Sequence, residues 1–217
     1  MNSWLFRYKL IRDSIHQSLV DLAIGQHNKV LDVGCGNKRY RHLIDCDQYV
    51  GTDRFTGQGE GSKPDILSDA AAMPFANSSF DFVLCTEVLE HLPEPALAFS
   101  EMNRVLTKGG HLVVSTPLFW PVHEAPHDYY RFTKYGLENL LNKCGFKIEK
   151  TAYRGGYAAV SAALFISNME RYVPKLKIMQ GLFDLLCSAI QYAAYVHDAV
   201  FKNPDIYYGC SIRAVKI

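Results

Sequence analysis

The chain has 217 residues, of which 48% are hydrophobic and 21% charged, and its formal net charge is +1. That is enough sequence for one domain with a substantial core, and it lacks the strong basic field of a general nucleic-acid binder. Six cysteines without a C-x-x-C pair fit reduced thiols, and with them a cytoplasmic setting, better than disulfides or a zinc knuckle.

In the N-terminal stretch, Leu10, Ile11, Ser14, Ile15, Leu19 and Leu22 follow helical spacing and Gly25 offers a stop, so an amphipathic helix is expected there. Arg7, Lys9, Arg12 and Asp13 interrupt its apolar positions, which argues against a signal-peptide core. No stretch reaches the roughly 18 uninterrupted apolar residues of a membrane span.

From residue 29 short apolar strands alternate with helical stretches, the pattern of a parallel sheet with helices on its faces. The expected strands are KVLDVG, QYVGTD, PDILSD, SFDFVLCT, GHLVVSTP, FKIEKTAY and finally IYYGCSIRAVKI. Between them, PALAFSEMNRVLTKGG predicts a helix with Leu97, Met102, Val105 and Leu106 on its apolar face and Gly109 at its end. Thr133 predicts the N-cap of another that stops at Gly145.

The first strand runs into VLDVGCGNKRY. Asp32, Gly34 and Gly36 there suit close approach of backbone to a ligand, and a following helix would offer free N–H groups. Arg39 stands where a dinucleotide fingerprint has its third glycine, which argues against NAD. Asp53 ends the second strand about 17 residues past Gly36, placed to accept bonds from ribose hydroxyls; the alternative is a solvated strand end.

With LDVGCG, DAAAMPF, SFDFVLCTEVLEHL and RVLTKGGHLVVSTP in that order, residues 30 to about 150 resemble a class I S-adenosylmethionine-dependent methyltransferase of the small-molecule type. The resemblance implies an α/β doubly wound, Rossmann-like sheet of seven strands, with an antiparallel last strand at its edge and a helical insertion before it. It divides a single domain into an N-terminal helix (1–26), a cofactor-binding core (27–155), the insertion (156–203) and a final edge strand (204–217). S-adenosyl-L-methionine is the implied cofactor. Asp32, Gly34 and Gly36 would hold its methionine portion, Asp53 the ribose, and Asp69 with the Ala70 amide the adenine. Met73 and Arg54 or Phe55 would cover the adenine faces, and Thr86 and Glu87 would lie beside the methyl end. His91 matches the L-E-H histidine, with packing or capping of the next helix as its alternative role.

The loop PLFWPVHEAPHDYYRFT follows the fifth strand, at the carboxyl edge where open α/β sheets bind ligands. It contains a literal H-E-x-x-H at His123, Glu124 and His127, a zinc signature that works only on a helix. Pro126 inside the match forbids that helix, so no metal is expected from it. His123 or His127 is instead the expected general base, oriented by Glu124 or Asp128, with Tyr129, Tyr130 and Arg131 positioning the acceptor. Alternatively, DYYRFT only docks the loop, with Asp128 paired to Arg131. The expected acceptor is an oxygen of a small molecule, saccharide or lipid-linked glycan; RNA or protein acceptors, or a cofactor-binding module without catalysis, are the alternatives.

In the insertion, Ile178, Leu182, Leu185, Leu186, Ala189, Ile190, Ala193, Val196 and Val200 line one helical face. Packing over the acceptor pocket is the default expectation. A homodimer surface, or peripheral contact with the inner face of a membrane, are the other coverings for residues 156–201.

Overall fold

The computed structural model describes residues 7–23, 25–55, 63–201, 203 and 205–217. The first six residues of the expected lead-in helix, and Ser62 with the six residues before it, lie outside that set. Helix α1 (Lys9–Leu22) leads into β1 (Gln26–Val33), β2 (Asp45–Asp53), β3 (Ile66–Leu67) and β4 (Phe80–Thr86). Helix α2 (Pro95–Val105), β5 (Leu106–Pro117), α3 (Lys134–Lys143) and β6 (Phe146–Arg154) follow. The chain then makes α4 (Tyr157–Met169), α5 (Lys177–Val200) and β7 (Gly209–Lys216).

All seven strands form one sheet in the order β3-β2-β1-β4-β5-β7-β6. Strands β1 to β5 pair in parallel, and β7 is antiparallel to both β5 and β6. The last strand is therefore not at the edge, as the sequence suggested. It fills an interior slot, and β6 is the edge. Its residues explain the placement: Gly209 to Ile212 are all buried, which an exposed edge would not tolerate.

Both faces of the central strands are covered, so β4 is apolar from Phe82 to Cys85. Val83 and Cys85 pack with Phe99, Met102, Leu137 and Leu141 of α2 and α3. Phe82 and Leu84 turn the other way, onto Leu19 and Leu22 of α1. The Thr133 hydroxyl accepts the Gly136 N–H at 3.1 Å and starts α3, a cap worth about 1 kcal/mol. Helix α2 ends at Val105 rather than Gly109, because Leu106 already pairs with Phe80 in the sheet. Leu97 is exposed while Ala98 and Phe99 carry the buried face.

Helix α5 departs further from expectation. It buries Phe183, Cys187, Gln191 and Ala194 and leaves Ile178, Leu182, Leu185, Leu186, Val196 and Val200 exposed. Polar anchors set this rotation. Asp198 accepts the Gly156, Ala158 and Ala159 N–H groups at the start of α4, Asp184 binds Arg7, and Gln191 accepts the Leu10 N–H. Those bonds turn the stripe of Phe183, Cys187, Gln191 and Ala194 inward and leave most of the expected apolar stripe outward. No described helix is long and apolar enough to cross a membrane.

Candidate active site

The carboxyl ends of β1, β2, β4 and β5 open into two cavities that share Gly34, Gly36, Glu87, His91 and Glu124. The smaller, of about 300 Å³, is walled by Asp53, Arg54, Phe55, Asp69, Ala70, Val88 and Leu92. The larger, of about 390 Å³, extends under α1 past Arg12, Arg39, Thr86, Glu90, Trp120, His123 and Tyr208.

At their junction the β1 turn adopts left-handed backbone at Gly34 (φ 70°) and Gly36 (φ 51°), a region that favours glycine. A Cβ at Gly34 would stand 2.2 Å from Val88 Cγ2, so the turn is closed to side chains on steric grounds as well. The Gly34 and Cys35 N–H groups bind the Thr52 carbonyl, and Asp53 Oδ2 accepts the Gly36 N–H at 2.8 Å. Contrary to expectation, no α-helix follows. Lys38 is itself left-handed at φ 56° and is tied to Asp65, so the segment runs in turns to a short 3₁₀ turn at Arg41–Leu43.

Asp32 is buried beneath this turn. Its Oδ2 accepts the Tyr49 hydroxyl, while Oδ1 has no partner. Burial pushes its pKa up to about 7, the Tyr49 bond opposes this, and the nearby Asp53 adds to it. Asp53 Oδ1 accepts the Phe55 N–H at 3.1 Å, so each carboxylate oxygen keeps one lone pair for a ligand, and with the unpartnered Asp32 oxygen and the glycine turn this suits a cofactor with an ammonium group and a ribose. Asp69, Ala70, Arg54 and Phe55 reach the smaller cavity as expected. Met73 does not: it is buried in the core, its N–H bound to Glu101. Val88 and Leu92 line that cavity instead.

Thr86 and Glu87 line the larger cavity. Glu87 is left-handed at φ 53° and is held by the Ser115 hydroxyl at 2.8 Å and by Arg154 at 2.7 Å. Arg154, fully buried at the end of β6, is not among the residues the sequence singled out, because it falls where the strand alternation breaks. Glu90 was passed over too. It is fully buried, and neither carboxylate oxygen has a hydrogen-bond partner. Burial, followed by the charge of Glu87, raises its pKa well above the ordinary range. An acid inside the apolar run VLEHL was the available signal.

The loop after β5 is not helical between His123 and His127, so the two histidines do not share a helix face. His123 lies in the wall of the larger cavity, with its Nδ1 3.4 Å from Asp128 Oδ2. His127 is exposed and lines the smaller cavity, and its carbonyl is bonded to His91 Nδ1 at 2.7 Å. Glu124 borders both cavities. Asp128 is held bidentately by Arg131 at 2.6 and 2.7 Å and accepts the His123 N–H. These bonds keep its carboxyl well below the usual range.

Arg131 spends its remaining donors on the Trp120, Pro121 and Tyr130 carbonyls. The Tyr130 hydroxyl binds the Pro93 carbonyl, and the Tyr129 and Tyr130 N–H groups bind that of Glu90. Neither tyrosine nor Arg131 lines either of these two cavities, and their bonds serve to dock the loop, the alternative role for DYYRFT. His91 likewise does not cap α2, whose N-terminus has no side-chain cap.

This sheet order, with an antiparallel strand in its sixth position and a glycine turn facing an acid at the end of β2, defines a methyltransferase fold. The family described as "Methyltransferase domain" matches residues 31–114. A protein of Encephalitozoon cuniculi named as a methyltransferase is 32% identical over 152 residues, which cover 55% of this chain and 70% of that one. A Mycolicibacterium smegmatis protein named as an S-adenosylmethionine-dependent methyltransferase is 29% identical over 164 residues, covering 69% of this chain and 62% of its own length. A solved Thermotoga maritima S-adenosylmethionine-dependent methyltransferase superposes with a TM-score of 0.62 at 17% identity, over 99% of this chain and 93% of that one. The chain belongs to the class I S-adenosylmethionine-dependent methyltransferases. Its cofactor is S-adenosyl-L-methionine.

Proposed function

We propose that this methyltransferase acts on a hydroxyl oxygen of a small polar molecule, such as a saccharide, held in the larger cavity. The carrying observation is the His123–Asp128 arrangement in that cavity's wall, a ring nitrogen 3.4 Å from a carboxylate that Arg131 keeps ionised. A hydroxyl needs to lose its proton as it attacks, and an imidazole beside an ionised carboxylate, near it though not hydrogen-bonded to it, serves that need. An amine only has to be held neutral.

In this reading adenosine occupies the smaller cavity, its ribose against Asp53, and the methionine portion crosses Gly34 and Gly36 toward Arg12 and Arg39. The cofactor supplies an electrophilic methyl group on a sulfonium. The chain aims the acceptor oxygen along the line of the breaking bond and keeps water away, the main requirements of an in-line displacement. Trp120, Tyr8 and Tyr208 give the acceptor cavity an aromatic floor with polar rims, suited to a sugar face.

Transfer of labelled methyl from S-adenosylmethionine to a panel of saccharides, phenols, amines and small acids tests this. Methoxy products from hydroxylated acceptors are expected. Label found only on nitrogen or on a macromolecule would replace the proposal.

A further inference from the structure

The wall of the larger cavity carries a cluster that cofactor binding leaves unused. Glu90, His91 and His123 each offer one ligand-type atom, and these atoms lie within 4.8 Å of one another. Glu90 is fully buried with both oxygens unpartnered. Leaving a carboxylate so is expensive unless a cation or a proton joins it. The nearby guanidinium groups are committed elsewhere, Arg131 to Asp128 and Arg154 to Glu87.

His91 is set up as a ligand. Its Nδ1 faces the His127 carbonyl at 2.7 Å, and since a carbonyl can only accept, that nitrogen carries the proton. In the neutral ring Nε2 is then a bare lone pair. It lies 3.9 Å from both Glu90 Oε1 and Glu124 Oε2, so three electron-rich groups converge on one space. Asp128 Oδ2 lies 3.4 Å from His123 Nδ1 without a hydrogen bond between them, so of the two imidazoles His91 has the backing that usually supports metal-binding histidines.

We propose that Glu90, His91 and His123 bind a divalent first-row transition ion beside the methyl donor. Two imidazoles and one carboxylate select Mn²⁺, Fe²⁺, Co²⁺ or Zn²⁺ over the oxygen-seeking Mg²⁺ and Ca²⁺. Bonds of about 2.0–2.2 Å put ligand atoms about 3–4 Å apart, so the three groups need to close by about 1 Å. The histidine of the broken H-E-x-x-H match thus belongs to a different set of ligands, assembled across the cavity.

Resting on the hydroxyl reading above, the ion specifies how the proton leaves. The acceptor oxygen coordinates the ion, which acidifies it, and the proton passes to the exposed Glu124 carboxylate. An oxygen lone pair then forms the new carbon–oxygen bond while the methyl carbon–sulfur bond breaks, its electron pair remaining on sulfur. With the ion bound, His123 ligates it and Glu124 replaces His123 as the base, so only the hydroxyl acceptor is carried over from the reading above; a vicinal diol is the acceptor best able to chelate.

Calorimetric titration of the chelator-treated full chain with Mn²⁺, Co²⁺ and Zn²⁺ separately, and with S-adenosylhomocysteine, tests the site. At least one ion is expected to bind one per chain, and Glu90→Gln and His123→Ala to weaken it about tenfold or more, with S-adenosylhomocysteine affinity kept within about twofold. Absence of stoichiometric binding by all three at millimolar concentration overturns the proposal, as does equal binding by both variants. Should a variant not fold, Co²⁺ on the unaltered protein decides: paramagnetic shifts in the His91 and His123 ring resonances support the site, and their absence overturns it. Loss of S-adenosylhomocysteine binding with ion binding intact would instead count against the cofactor assignment. Ion binding without any hydroxyl methylation would leave the site standing and sink only its catalytic use.

Discussion

Arg154 reaches Glu87 at 2.7 Å from a fully buried position at the end of β6, joining the edge strand to the turn that follows β4. The same Nη2 donates to the Thr116 carbonyl, so a single guanidinium ties β6, β5 and the residue after β4. Removing it leaves Glu87 without its counter-charge. Arg154→Leu is therefore expected to cost roughly 3–5 kcal/mol of stability, read from urea denaturation. The double change with Glu87→Leu should cost less than Arg154→Leu alone, because no charge is stranded. A larger loss in the double variant would show the pair to be worth more than its partners' isolation.

The glycine turn predicts a steric epistasis. Gly34→Ala places a methyl on Val88 Cγ2 and forces alanine into a left-handed conformation. Cofactor affinity should fall roughly 100-fold, from a clash and strain of a few kcal/mol. Adding Val88→Ala removes only the clash, so calorimetry with S-adenosylhomocysteine should show partial recovery. Full recovery would mean the backbone strain at residue 34 is negligible.

Asp32 makes the ligand-free protein pH-dependent with a definite sign. Its folded pKa, raised to about 7 by burial, lies above the unfolded value of about 4. The folded state therefore binds the proton more tightly. The resulting stability is complete below about pH 4 and is lost as pH rises through 7. Urea midpoints of the unaltered protein should fall relative to those of Asp32→Asn between about pH 5 and pH 8. Parallel curves would show that Asp32 does not titrate there. Binding of a cofactor that carries an ammonium group should strengthen over the same interval, since it favours the ionised carboxylate.

His123 and His127 should separate in kinetics. His123→Ala is expected to lower turnover roughly 100-fold with little change in cofactor affinity. His127→Ala should act mainly on the KM for S-adenosylmethionine, because its side chain lines the smaller cavity. Equal effects on turnover would move His127 to the acceptor side.

Much of the candidate cofactor cleft's geometry was legible because it is local. Strand, glycine turn and acid lie within Lys29–Asp53, and each follows from spacing and backbone sterics. The position of β7 was not, since antiparallel pairing on both sides depends on strands distant in sequence. The helix expected after Gly36 failed for a tertiary reason, the left-handed Lys38 anchored to Asp65. Periodicity found the apolar stripe of α5 but chose the wrong side to bury, because Asp184, Gln191 and Asp198 are anchors whose partners lie on α1, α4 and Arg7. In the acceptor loop, Pro126 was sufficient to discount the zinc helix. No local rule could bring His123 to Glu90, 33 positions earlier in the chain.

The interior place of β7 also fixes an order of events during synthesis. Strands β5 and β6 leave the ribosome before residues 209–216, and no pairing between them exists to substitute for the missing strand. Until β7 arrives, each presents an open row of backbone donors and acceptors, the kind of edge that pairs with other chains. The nascent protein can complete its cofactor half early, yet Glu87 and Arg154 can be held in register only after the final strand closes between their elements. Completion of the acceptor side is thereby coupled to completion of the chain's sheet.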